Sequence, residues 1–181
     1  LVVCLIRDFL DDNVNSKTLG DILYDVIKKR LIWNEADKKE NFIHFLNEFP
    51  NALQREEFIS NLAYTIYKSS NGKINEDELF QVVNSYELIP QQTAQRTRVV
   101  YDAINFLKNN FLQKIGNDYL FQSYQLYQLA LGLQLFNQIT SAKEFNFKLS
   151  FIDEWRIISF AGAIARRKGD GGEMQVFFTS V

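Results

Sequence analysis

Phe111-Leu112-Gln113-Lys114-Ile115-Gly116-Asn117-Asp118-Tyr119-Leu120-Phe121 is the stretch on which the fold turns. Two short runs of aromatic and branched residues flank a Gly-Asn pair, the chemistry of a tight hairpin turn. Almost everything around it has a helical pattern. Upstream, Thr93 to Asn109 places Val99, Val100, Ala103, Ile104 and Leu107 on one side of a helix, and Pro90 breaks the chain before it. Earlier still, Asn75 stands where it caps a helix over 76–86, with Leu79, Val82 and Val83 as its core face. Ser69-Ser70-Asn71-Gly72 reads as a turn, and Ile74 follows it as one isolated extended apolar residue. A helix from Gln54 to about Tyr67 buries Phe58, Ile59, Leu62, Ala63 and Ile66. Helix, turn with one extended residue, helix, helix, hairpin is the element order of a winged helix, which the sequence places at 51–121.

The flanks are helical too. Leu1 to Leu10 reads as an apolar helix ending in Asp11-Asp12-Asn13. Ser16 or Thr18 then caps a second helix, with Leu19, Ile22, Leu23, Val26, Ile27 and Leu31 on one face. Its Lys28-Lys29-Arg30 turn puts cations at the negative end of the helix dipole. A charged stretch from Asn34 to Asn41 leads to a short helix around Phe42 to Leu46, stopped by Pro50. Residues 1–50 thus read as a helical subdomain. Beyond the hairpin, helices from about Tyr124 to Ile139 and Phe151 to Arg167 begin a further helical region at 122–181, broken by Lys168-Gly169-Asp170-Gly171-Gly172. The fold class is mainly α: a helical subdomain, a winged helix with one small β-hairpin, and further helices.

Composition excludes several classes. The 181 residues are 46% hydrophobic and 23% charged, which rules out disordered and low-complexity architectures. Only 2 Pro and 8 Gly favour long helices over a sandwich of many turns. No apolar run approaches the roughly 20 residues that span a bilayer. The net charge of -2 supplies no basic field for nucleic acid or an anionic membrane. One cysteine, Cys4, forms no internal disulfide, so the reading is a soluble, cytoplasmic chain with no membrane partner. The opening Leu1-Val2-Val3-Cys4-Leu5-Ile6 lacks an initiator Met and a basic leader, and reads as the middle of something longer.

Several segments together resemble one family. Leu1 to Leu5 through Leu19-Gly20-Asp21-Ile22-Leu23-Tyr24-Asp25-Val26-Ile27-Lys28-Lys29-Arg30-Leu31 resembles the helical region that follows the nucleotide-binding core of NACHT-type STAND ATPases. Phe58 to Tyr64 through Lys73-Ile74-Asn75-Glu76-Asp77-Glu78-Leu79 looks like the start of that family's winged helix. Tyr119-Leu120-Phe121-Gln122-Ser123 through Leu129-Ala130-Leu131 is similar to its exit, and Glu154-Trp155-Arg156 with Phe160-Ala161-Gly162 to the region beyond. Order and spacing carry the likeness; no single motif is diagnostic.

The resemblance implies a signal-transducing ATPase. A sensor releases an ADP-bound, inhibited form, exchange to ATP follows, and the chain forms a homo-oligomer that drives an effector, in bacterial antiphage defence or animal innate immunity. This segment would be the lever between an upstream nucleotide-binding domain and a downstream sensor. Its candidate hinges are 33–41 and 86–93. Leu1 and Val2 would lie on the adenine side, and ATP or ADP with Mg²⁺ would be held by the complete protein.

The phosphate-binding loop and acidic Mg²⁺ motif are absent from these residues, the winged-helix histidine has no match, and Gln122 or Ser123 stands where a histidine is common. The segment therefore has no hydrolytic machinery and no catalytic residues of its own.

Other chemistries are weaker in the residues. Gly72, Ile74 and Glu78 mimic the second half of a calcium loop, but Tyr67 stands at its first position, so the anionic oxygens are too few. His44 and Cys4 read as packed residues without catalytic partners. Arg96, Arg98 and Lys108 on the third helix, with Lys114 in the wing, are the cations a DNA-reading winged helix would use, but Asp102 dilutes them. Arg166-Arg167-Lys168 reads as a helix-end cluster, and Tyr124, Tyr127, Leu131 and Leu135 as a packing stripe. A helical adaptor without nucleotide and a DNA-binding regulator are the alternatives.

Overall fold

A computed structural model describes residues 19–37, 43–69, 72–87, 89, 93–141 and 151–168. In chain order the elements are α1 (Leu19–Asp37), α2 (Ile43–Glu48), α3 (Ala52–Lys68), β1 (Ile74–Asn75), α4 (Glu76–Asn84), α5 (Thr93–Asn110), β2 (Leu112–Ile115), β3 (Asp118–Phe121), α6 (Tyr124–Thr140) and α7 (Phe151–Lys168). The protein is mainly helical with one small antiparallel sheet. Contacts divide it into two compact units, Lys29–Gln122 and Leu1–Lys28 with Ser123–Val181.

In the first unit the sheet order is β1-β3-β2. β1 pairs with β3 through Ile74↔Tyr119 and Asn75↔Asp118, and β2 with β3 from Leu112↔Phe121 to Ile115↔Asp118. The isolated Ile74 is thus a third strand rather than a bare linker, and α3-β1-α4-α5-β2-β3 with this strand order is winged-helix topology. Local chemistry explains its corners. Gly116 turns the β2–β3 hairpin at φ 64° and Gly72 the approach to β1 at φ 63°, a left-handed region open to glycine at no steric cost. Asn75 starts α4 with a capping box: its side chain accepts from the Glu78 N–H at 2.9 Å, and Glu78 accepts from the Asn75 N–H at 3.1 Å.

The core of this unit is aromatic. Phe45 and Phe49 from α2 and its C-terminal turn, Phe58 from α3, Phe106 and Phe111 are all buried. Their rings lie 4.7 to 5.9 Å apart, with Tyr86 against Phe49 and Phe58. Such pairs add about 0.5–1.5 kcal/mol each beyond the area they bury. The expected core faces of α3 and α5 are buried in full, while on α4 Leu79 and Val83 are buried and Val82 half-buried.

The second unit is built on the α6–α7 pair. Gly132 lets the two helices close: a Cβ there would sit 3.0 Å from Phe160 Cβ and 3.1 Å from the Ala161 backbone nitrogen. Leu23, Val26 and Ile27 of α1 are buried, whereas Leu19, expected on that core face, is exposed. Asp21 and Asp25 meet Arg166 and Arg167 of α7, and Lys168 lies over the Phe136 ring at 5.6 Å. The cation cluster at the end of α7 therefore ties α7 to α1. Leu131 and Leu135 of the expected α6 stripe are buried, Tyr127 is half-buried, and Tyr124 is exposed.

One expectation needs correcting. The first candidate hinge, 33–41, does not begin as a loop, because α1 continues to Asp37. Glu35 and Ala36 are good helix formers and extend the helix without an apolar stripe. Residues 38–41 lie outside the described residues. The second candidate hinge starts anchored: Tyr86 N–H donates to the Val83 carbonyl, Ile89 N–H to the Tyr86 carbonyl, and Ile89 is buried. The expected helix at 1–10, the Ser16/Thr18 cap, Cys4 and the segment 173–181 lie outside the described residues.

Candidate functional site

α5, β2 and β3 are the third helix and the wing of this topology, and they carry the cations Arg96, Arg98, Lys108 and Lys114. Three of the four cations there meet protein groups. Arg96 donates from Nε to Asn84 Oδ1 at 2.7 Å and also bonds the Asn84 carbonyl. Lys108 Nζ donates to Glu76 Oε1 at 2.5 Å, and Lys114 Nζ lies 3.9 Å from the other oxygen of the same carboxylate. Tyr119 OH donates to Glu76 Oε2 at 3.2 Å, and both lysines sit over the Tyr119 ring, at 4.8 and 5.6 Å. On the far side of the wing Lys73 pairs with Asp118 at 2.8 Å. Three lysines around the wing are thus matched by two carboxylates.

The electrostatics follow. The hydrogen bond from Lys108, and then its charge, hold the Glu76 carboxyl below its ordinary range, against the opposing effect of desolvation. Burial alone would lower the Lys108 ammonium, but the hydrogen bonds to Glu76 and Tyr119 outweigh it and raise it. Both shifts favour the charged pair.

What α5 presents to solvent is different. Tyr101 is 57% exposed and Phe80 39%, their rings 6.4 Å apart in an edge-on pair. Arg98 is exposed one turn before Tyr101, and Asp77 one turn before Phe80. Of the expected DNA-facing cations, only Arg98 remains on the open face of α5.

On one flank α5 carries α2. Asp102 accepts from the backbone N–H of His44 at 2.9 Å, and Gln95 bonds Glu48. Arg55, 1% exposed, donates from Nε to the Phe49 carbonyl at 2.7 Å. His44 is half-buried, and its backbone rather than its ring makes that bond. Burial, opposed by the Asn61 hydrogen bond, pushes the Tyr86 hydroxyl up to about 12.

Among the described residues no three of His, Cys, Asp and Glu gather to hold a metal ion. Glu78, which closed the calcium-like spacing, is spent in the capping box. Leu1 and Val2 lie outside the described residues.

The residues that reasoning from sequence missed share one property. Glu76 as the hub of two lysines and a tyrosine, the Phe80–Tyr101 pair and the two end-caps of α2 all join positions far apart in the chain. The only local signal was Glu76 in a helix first turn, which points to the dipole and no further. No family model, curated protein or solved structure matches this chain.

Proposed function

We propose that this chain is the regulatory lever of a NACHT-type STAND ATPase: a protein-contacting winged helix with helical flanks that couples nucleotide state to oligomerisation. The observation that carries the protein-contact part is the neutralised wing, with Lys73, Lys108 and Lys114 matched by Asp118 and Glu76 beside an exposed Phe80–Tyr101 pair. Phosphate contacts need cations gathered on one face and available to the ligand; aromatic residues among polar neighbours suit a protein partner. The STAND part rests on the resemblance in segment order. No helix among the described residues is long and apolar enough to cross a membrane. Cytoplasmic location, an upstream nucleotide-binding domain, a downstream sensor and a role in defence belong to the same proposal.

The test is nucleotide content of the complete gene product, denatured after purification and resolved by anion exchange. Stoichiometric ADP or ATP supports the lever. An empty protein that takes up none on incubation moves the reading to a helical adaptor, for which the same protein-contacting face suffices.

A further inference from the structure

The open face of α4 and α5 has a symmetry that its composition does not reveal. Asn84 at the end of α4 holds Arg96 near the start of α5, and Glu76 at the start of α4 holds Lys108 near the end of α5. The two helices therefore run in opposite senses. Phe80 and Tyr101 meet midway along them. Asp77 lies one turn N-terminal to Phe80 on α4, and Arg98 one turn N-terminal to Tyr101 on α5, all four exposed. Because the helices are antiparallel, these two N-terminal steps lead in opposite directions. The acid and the base flank the aromatic pair at opposite ends of the patch. Neither is drawn into an ion pair among the described residues, while Glu76, Lys108, Lys114 and Lys73 are.

An apolar centre with a positive charge at one end and a negative charge at the other is self-complementary under a two-fold axis. A rotation through the Phe80–Tyr101 pair brings Arg98 of one copy onto Asp77 of the other, twice, and stacks the aromatic centres on each other. That is the requirement for an isologous contact. We infer that the α4–α5 face pairs with the same face of a second copy of this chain, through Phe80 and Tyr101 at the centre and two Asp77–Arg98 ion pairs at the ends. Four side chains fall well short of the roughly 20–30 residues a side of a stable interface, so the pairing is weak and reversible, and its ion pairs weaken with salt. The inference rests on the protein-contact reading of this face and not on nucleotide.

The test is sedimentation equilibrium of the 181-residue chain over a range of concentrations. Wild type is expected to self-associate. D77R and R98D each set like charges opposite one another and weaken association by about tenfold or more. The double variant D77R/R98D restores it, as does an equimolar mixture of the two single variants, in which every ion pair is re-formed between unlike copies. Unfolding cannot produce that rescue, and far-ultraviolet circular dichroism checks each variant. A chain that stays monomeric throughout, single variants that associate like wild type, or a mixture and double variant that both fail to recover would each overturn the pairing. A monomer that also ignores DNA would leave the proposed function standing.

Discussion

The carboxylate of Asp102, midway along α5, accepts the backbone N–H of His44 at 2.9 Å across 58 positions of sequence. It accepts one of the first-turn N–H groups of α2, the role of an N-cap supplied from another helix. At the other end Arg55 donates to the Phe49 carbonyl. A six-residue helix cannot hold itself in water, so a negative and a positive group at the ends that its dipole prefers help fix it on the aromatic core.

D102A should therefore cost about 1 kcal/mol in denaturant unfolding, the usual worth of an N-cap. R55M leaves a buried carbonyl unmet and should cost about 1–3 kcal/mol. Because both act on one helix, the double variant should lose less than the sum of the two. Strict additivity would show that the two contacts act independently, and no loss from either variant that α2 is held by packing alone.

G132A places a methyl against backbone on α7. The helix-propensity gain of about 1 kcal/mol is outweighed by overpacking of about 1–3 kcal/mol, and thermal unfolding should move to lower temperature. An unchanged or raised midpoint would mean the α6–α7 spacing is looser than described.

Glu76 has a depressed pKa, so the stability it contributes is present above the unfolded carboxyl value and is lost as pH falls through the folded one. Wild type should exceed E76Q in stability at pH 7, and the difference should vanish on acidification below the ordinary glutamate range. Urea titrations of both proteins against pH read this directly; a difference that persists in acid would assign it to packing.

Tyr86 has the opposite sign. Its pKa is raised to about 12 from 10.0, so its contribution is intact below pH 10 and disappears as pH rises toward 12. Y86F should flatten the alkaline loss of stability while costing little at neutral pH, since the Asn61 bond is long at 3.4 Å. An unchanged alkaline limb would place the titration elsewhere.

The winged-helix order was readable because each element carries a local signal. The apolar periods of α3 and α5, the Asn75 cap and the Gly116-Asn117 turn each act within a few residues. Even β1 announced itself as one extended isoleucine. The continuation of α1 to Asp37 was not readable, because Trp33-Asn34-Glu35-Ala36-Asp37 holds one large apolar residue and two weak helix formers, and so carries no apolar stripe. The site was the least readable part. Lys108 on α5 looked like a phosphate contact until the fold brought Glu76 to it from 32 positions away. Arg96 likewise became an internal tie to Asn84.

Whether this winged helix meets protein and not nucleic acid is read by fluorescence anisotropy of a labelled duplex titrated with this chain at low and high salt. No saturable binding is expected at either, and no change on R98E. Binding whose log affinity falls linearly with log salt concentration, and which R98E weakens, would contradict it.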